Sequence, residues 1–127
     1  MRSSERVGCV DWPCEGVEQG AYRVPAAEVD PERVRVVLVA EAAAPQAADN
    51  CYQGPTALYE ATTLAALASA GLRAAALAEL LERGIYCTTA VKCGKVGYGV
   101  PTAAINACSL SAGARSWRRW RGCAPIC

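Results

Sequence analysis

"IYCTTAVKCGKVGYGVP", residues 85–101, carries the chain from an apolar run through a basic turn to a proline. Ile85–Val91 is an uncharged run rich in β-branched residues, which predicts a buried strand. "KCGKVGYG" then turns basic and glycine-rich, which predicts a loop. Pro101 suits the first turn of a helix, expected over about residues 102–109, because its fixed φ and missing N–H cost nothing there.

Working outward, "VRVVLVA", residues 34–40, is a second apolar run of strand length. "EAAAPQAADNCYQGP" follows as a loop, since Pro45 and Pro55 break helix while Asp49, Asn50 and Gly54 favour turns. Leu64, Leu67, Ala68 and Leu72 recur at helical spacing and predict a helix over 58–72 with a stop at Gly71. A second helix is expected over 75–83, ending at Gly84. Strand, loop, helices, strand, loop and helix predict an α/β unit with parallel strands, whose ligand sites lie at the strands' carboxyl ends. Residues 1–32 carry Pro13, Pro25 and Pro31 without a sustained period, so an irregular arm is expected.

The chain has 127 residues, enough for one domain, and is 53% hydrophobic. Much of that fraction is alanine, so the core must lean on Val, Leu and Ile. Histidine is absent, which removes the usual general base and metal nitrogen ligand. The chemistry left to it uses carboxylates, thiolates, backbone groups or water. The first residues show no apolar signal core and no run is long enough to span a bilayer, so a cytoplasmic protein with no membrane partner is expected. Residues 1–82 hold all twelve acids and six basic residues; residues 83–127 hold seven basic residues and no acid. That acid-free segment is a candidate phosphate or nucleic-acid surface, although a merely solvated basic face produces the same count.

Eight cysteines in a reducing compartment favour metal binding over a disulfide framework. Cys9 and Cys14 flank a turn at Pro13, and Cys93 and Cys108 bracket the basic loop and the start of the next helix. Two such pairs can converge on one centre, either a four-iron four-sulfur cluster or tetrahedral zinc. Cys87, inside a strand, reads as a small buried residue, and Cys51 as a loop thiol.

These segments together resemble the uracil-DNA glycosylase superfamily, in particular its iron-sulfur branch. The resemblance rests on Cys9 and Cys14, "VVLVAEAAAP", "IYCTTAVKC" and "INAC", and covers about residues 9–108. It implies a parallel-sheet, three-layer α/β fold and a DNA N-glycosylase whose cluster is held by Cys9, Cys14, Cys93 and Cys108. It further implies that Glu41, with Asp49 as second candidate, orients the attacking water and stabilises an oxocarbenium-like sugar. Tyr52 or Tyr59 would stack on an extruded base, and Thr89 would read its edge where relatives present an asparagine. A threonine hydroxyl cannot copy an amide's paired donor and acceptor, which bears directly on uracil specificity. Lys92, Lys95 and Gly97 would meet phosphates. DNA is the expected partner and a monomer the expected state.

The chain departs from the family pattern in "AEAAAP", which lacks the motif's glycines, and in having no histidine loop. After Ser109 or Leu110 the composition changes to "SAGARSWRRWRGCAPIC", residues 111–127. The expectation is therefore an incomplete glycosylase-like domain over 1–110 followed by an atypical Arg/Trp-rich tail, from an altered reading frame or a misannotated end. The rival readings are a non-catalytic iron-sulfur or zinc-binding nucleic-acid module, and a cysteine-rich redox or zinc protein with no DNA role.

Overall fold

A computed structural model of the chain describes residues 16–22, 27–97 and 99–113. Among these, strands β1 (Val17–Tyr22), β2 (Val36–Ala43) and β3 (Ile85–Lys95) form one sheet in the order β1-β3-β2. Helices α1 (Leu58–Ser69) and α2 (Leu77–Glu82) connect β2 to β3, and α3 (Thr102–Gly113) follows β3. The result is a small mixed α/β domain.

β3 is central because it carries the run with the least charge: Tyr86, Cys87, Thr88 and Thr89 are all buried. It pairs in parallel with β2 in an unbroken register from Val36 opposite Ile85 to Ala42 opposite Val91. Ala43 then stands opposite Gly94, so Lys92 and Cys93 form a bulge in β3. On its other side β3 pairs antiparallel with β1, Val17 opposite Lys95 and Tyr22 opposite Cys93.

The sheet is therefore mixed, where the sequence reading expects parallel strands. β1 lies inside the stretch expected to be irregular. Its residues have little apolar pattern, and their strand conformation comes from the backbone ladder that the far end of β3 offers. β3 also runs four residues past Val91, taking Lys92–Lys95 out of the expected loop, and β2 continues through Glu41 to Ala43. α3 reaches Gly113, beyond the expected domain boundary at residue 110. Cys9, Cys14, Cys123 and Cys127 lie outside the described residues.

Cys51, Leu77, Leu80 and Cys87 form one buried cluster, with Leu38, Leu64, Leu67 and Leu72 packed around it. Leu77 and Leu80 are fully buried, and each contributes about 2 kcal/mol of transfer free energy. A second cluster of Val29, Val34 and Tyr86 packs with Val37 and Leu81. Tyr52 touches both. Its hydroxyl accepts the Cys87 N–H at 2.9 Å, on a part of β3 that β1 does not pair, and its ring stacks on Tyr86 with centroids 6.3 Å apart. A side chain thus satisfies a strand donor that would otherwise be orphaned. This geometry holds Tyr52 at φ 59°, a left-handed conformation costing roughly 1–2 kcal/mol for a residue with a Cβ.

Two helix ends are made by glycines, as the sequence predicts. Gly84, at φ +86°, ends the α2 turn where a Cβ would stand 2.7 Å from the Arg33 carbonyl, so the chain can enter β3 beside β2 only without a side chain.

Candidate functional site

The carboxyl ends of the parallel pair β2 and β3 bring several of the expected site residues close together. Glu41, near the end of β2, is exposed and its Oε1 accepts the Val100 N–H at 2.9 Å. One carboxylate thereby ties the end of β2 to the segment that enters α3, 59 residues further on. At Gly94 the strand passes so near the β2 loop that a Cβ would lie 3.0 Å from the Pro45 Cα. The glycine is what allows the two loops to touch.

The loop after β2 is built on Asn50, which the sequence marks only as a turn former. It is buried at 5% exposure. Its Oδ1 accepts the Ala44 N–H at 2.9 Å, and its Nδ2 donates to the Ala44 and Gln46 carbonyls at 3.1 and 2.8 Å. Asp49 precedes it on a single 3₁₀ turn, Ala47–Asp49, half-buried. Asn50 therefore shapes the loop that carries Asp49.

Thr89 is 2% exposed and its hydroxyl is the one buried side-chain polar atom without a hydrogen-bond partner among the described residues. Leaving such a group unpaired costs about 1–3 kcal/mol. Beside it, Lys92 Nζ donates to Thr88 Oγ1 at 3.0 Å and to the Thr89 carbonyl. Burial holds the Lys92 ammonium below the ordinary lysine range, while the thiols of Cys108 and Cys51 act in the opposite direction. Lys95 Nζ donates to the Val96 carbonyl, and its chain lies against Gly16 of the turn before β1. Gly97, at φ +78°, stands in open space.

Cys93 and Cys108 are both buried. The Lys92 N–H donates to Cys108 Sγ at 3.4 Å, which sets that thiol against the β3 bulge, next to Cys93 in the chain. These two cysteines fit the soft-donor chemistry of a cluster or zinc but supply two of the four ligands such a group takes. Among the described residues no group of three or more His, Cys, Asp or Glu side chains is arranged to hold a metal.

The two tyrosines expected to meet a base belong to the core. Tyr52 is engaged by Cys87 and Tyr86, as described above. Tyr59 packs on the Cys51 cluster and hydrogen-bonds with the side chains of Cys51 and Thr63. Burial raises both phenols above the ordinary tyrosine range. The same cause pushes Cys51 up to about 11 and Cys87 up to about 12. Cys51, whose loop position leaves open whether it is a spare thiol or a chance residue, is thus a core thiol at 2% exposure.

A cavity of about 430 Å³ lies at the opposite, amino end of the strand pair, with Arg33 and Val34 preceding β2, Leu81 and Glu82 preceding β3, and Tyr52 as one wall. Glu41 does not line it. Among the described residues no helix is long and apolar enough to cross a membrane. No protein-family model, curated protein or solved structure matches the chain.

Proposed function

We propose that the chain is a uracil-DNA glycosylase-like protein that binds DNA and hydrolyses an N-glycosidic bond through an activated water. The observation that carries this reading is the Glu41 carboxylate, exposed at the carboxyl end of a parallel strand and tied to the amide of Val100. The resemblance assigns the water-orienting acid to this position, and open α/β sheets gather their ligands at such strand ends.

In this reading Glu41 polarises water and its charge stabilises the sugar as positive charge develops on it. Asp49, held on the Asn50-braced loop, is the second carboxylate. Thr89, the expected reader of the base edge, keeps its hydroxyl buried and takes no part at the surface. Lys95 and Gly97 meet phosphates, whereas Lys92, turned inward to Thr88 and Thr89, holds the strand end from within. An iron-sulfur cluster, with zinc as the alternative, would be held by Cys93 and Cys108 together with Cys9 and Cys14. When bound, such a group supplies a cross-link between distant segments; the hydrolysis uses carboxylate and water.

A specific observation favours the second reading, a nucleic-acid-binding module without catalysis. The cavity that Tyr52 borders excludes Glu41, so stacking on Tyr52 and water activation at Glu41 belong to separate surfaces. One experiment separates the two. Purified protein is incubated with a single-stranded oligonucleotide containing uracil; free base and bound DNA are measured together. Release of uracil, reduced 10²-fold or more in Glu41→Gln, supports the enzyme. Salt-sensitive binding without release supports the module. Neither release nor binding refutes both.

A further inference from the structure

We propose that the cavity of about 430 Å³ at the amino end of the strand pair binds a linear organic dication, an aliphatic diamine or an amine joined to a guanidinium. The inference is independent of the glycosidic reading, because Glu41 stands at the other end of the strands and does not line this cavity.

The cavity has a fixed frame. Val29 and Val34 are buried with Tyr86 in one core cluster, and they flank the turn that runs from Asp30 to Arg33. Within that turn the Arg33 N–H donates to the Asp30 carbonyl at 3.1 Å, and Asp30 Oδ1 accepts the Glu32 N–H at 3.1 Å. Leu81 packs on the same cluster, and Glu82 follows it at the end of α2. Val34, Tyr52 and Leu81 thus line the interior with apolar surface, whereas Glu28, Asp30, Arg33 and Glu82 are exposed at its mouth. The volume falls within that of small-molecule sites, roughly 300–1,000 Å³.

Charge selects the ligand. Three carboxylates stand against one guanidinium, an excess of two negative charges in one cavity. Arg33 does not cancel them by contact. Its Nη2 reaches the Glu82 backbone carbonyl at 3.5 Å, and it forms no ion pair with the Asp30 or Glu82 carboxylate. An anion is repelled at such a mouth. A single metal ion is not suited either, since among the described residues no three His, Cys, Asp or Glu side chains are arranged around one point. Carboxylates set apart in this way are met by charges set apart along an organic chain, whose methylenes cover Val34, Leu81 and Tyr52. Two positive charges match the excess.

The test is isothermal titration calorimetry of the full chain with cadaverine, set beside pentylamine, glutarate, calcium and the neutral diol of the same length at matched ionic strength. Cadaverine should bind at one site, pentylamine more weakly, and the diol and glutarate not measurably. Asp30→Asn and Glu82→Gln keep the shape of exposed side chains and should each weaken binding about threefold to fivefold, and together roughly tenfold or more. Arg33→Gln should strengthen it by a similar single-site factor, because a like charge leaves the mouth. Circular dichroism confirms the fold of each variant. Absence of saturable binding at about 5 mM cadaverine overturns the proposal. So does binding that the double variant leaves unchanged. Equal binding of the diol would show an apolar cavity without charge selection, and calcium that displaces cadaverine would show a metal site; either result also overturns it.

Discussion

Glu60 Oε1 accepts the Leu77 N–H at 2.8 Å, while its Oε2 accepts the Gly54 N–H at 3.2 Å. A carboxylate at 1% exposure thereby holds the start of α2 and the loop before α1 in one grip. Charged acceptors make stronger hydrogen bonds than neutral ones, and both amides lose their partner if the side chain is shortened. Glu60→Ala should therefore cost about 3 kcal/mol and Glu60→Gln about half of that. Urea unfolding with an unchanged slope checks both values; an Ala variant as stable as the parent contradicts this role.

Tyr52 serves β3 in the same way from the other side. Tyr52→Phe keeps the stacking on Tyr86 but leaves the Cys87 amide unpaired, for an expected loss of about 1–2 kcal/mol. Hydrogen exchange at the Cys87 amide should accelerate in step. Unchanged protection there would show that the phenol oxygen is not its acceptor.

Gly84 and Gly97 both have positive φ, yet they should respond differently to alanine. At Gly84 the new Cβ meets the Arg33 carbonyl as well as the backbone strain, for an expected loss of about 3 kcal/mol. At Gly97 there is open space, and only the left-handed conformation is penalised, by about 1 kcal/mol. Thermal unfolding of the two variants compares them directly; equal losses would remove the steric part of this account.

Alkaline pH should destabilise the fold. Cys51 at about 11 and Cys87 at about 12 keep their protons in the native state, whereas the unfolded chain releases them near the ordinary value of 9.0. The native state then binds more protons than the unfolded one, so stability is intact below pH 9 and falls as pH rises toward 11 and 12. The phenols of Tyr52 and Tyr59 act in the same direction. Chemical denaturation between pH 8 and pH 11, roughly spanning that window, should show the fall, and a Cys51→Ala/Cys87→Ala variant should show a shallower one. A flat profile would contradict the burial of these groups.

The orphaned hydroxyl of Thr89 predicts a gain. Thr89→Val keeps the β-branched shape and removes the unpaired polar atom, for an expected stabilisation of about 1 kcal/mol. A loss of similar size would show that the hydroxyl has a partner in solution.

Much of the chain's local organisation is legible in its sequence. The apolar runs at 34–40 and 85–91 correspond to β2 and β3, the leucines at helical spacing to the packed sides of α1 and α2, and Gly71, Gly84 and Pro101 to helix ends. Glu41 is expected as the first residue of the loop after a strand at 34–40, whereas β2 runs through it to Ala43. β1 is not legible, because "VEQGAY" acquires its conformation from a ladder with residues more than seventy positions away. Tyr52, Asn50 and Glu60 go unnoticed as braces for a related reason. Nothing in a tyrosine, asparagine or glutamate tells which distant amide it will satisfy.

The amino-acid sequence by itself determines an α/β succession and an acid-free basic segment over residues 83–127, since periodicity, turn chemistry and charge act over a few neighbouring residues. Only the tertiary structure decides that the sheet is mixed, that Cys51, Tyr52 and Tyr59 belong to the core, and that Glu41 is bound to Val100. Those outcomes depend on buried backbone groups finding partners, and partners distant in the chain become neighbours only when the strands pair.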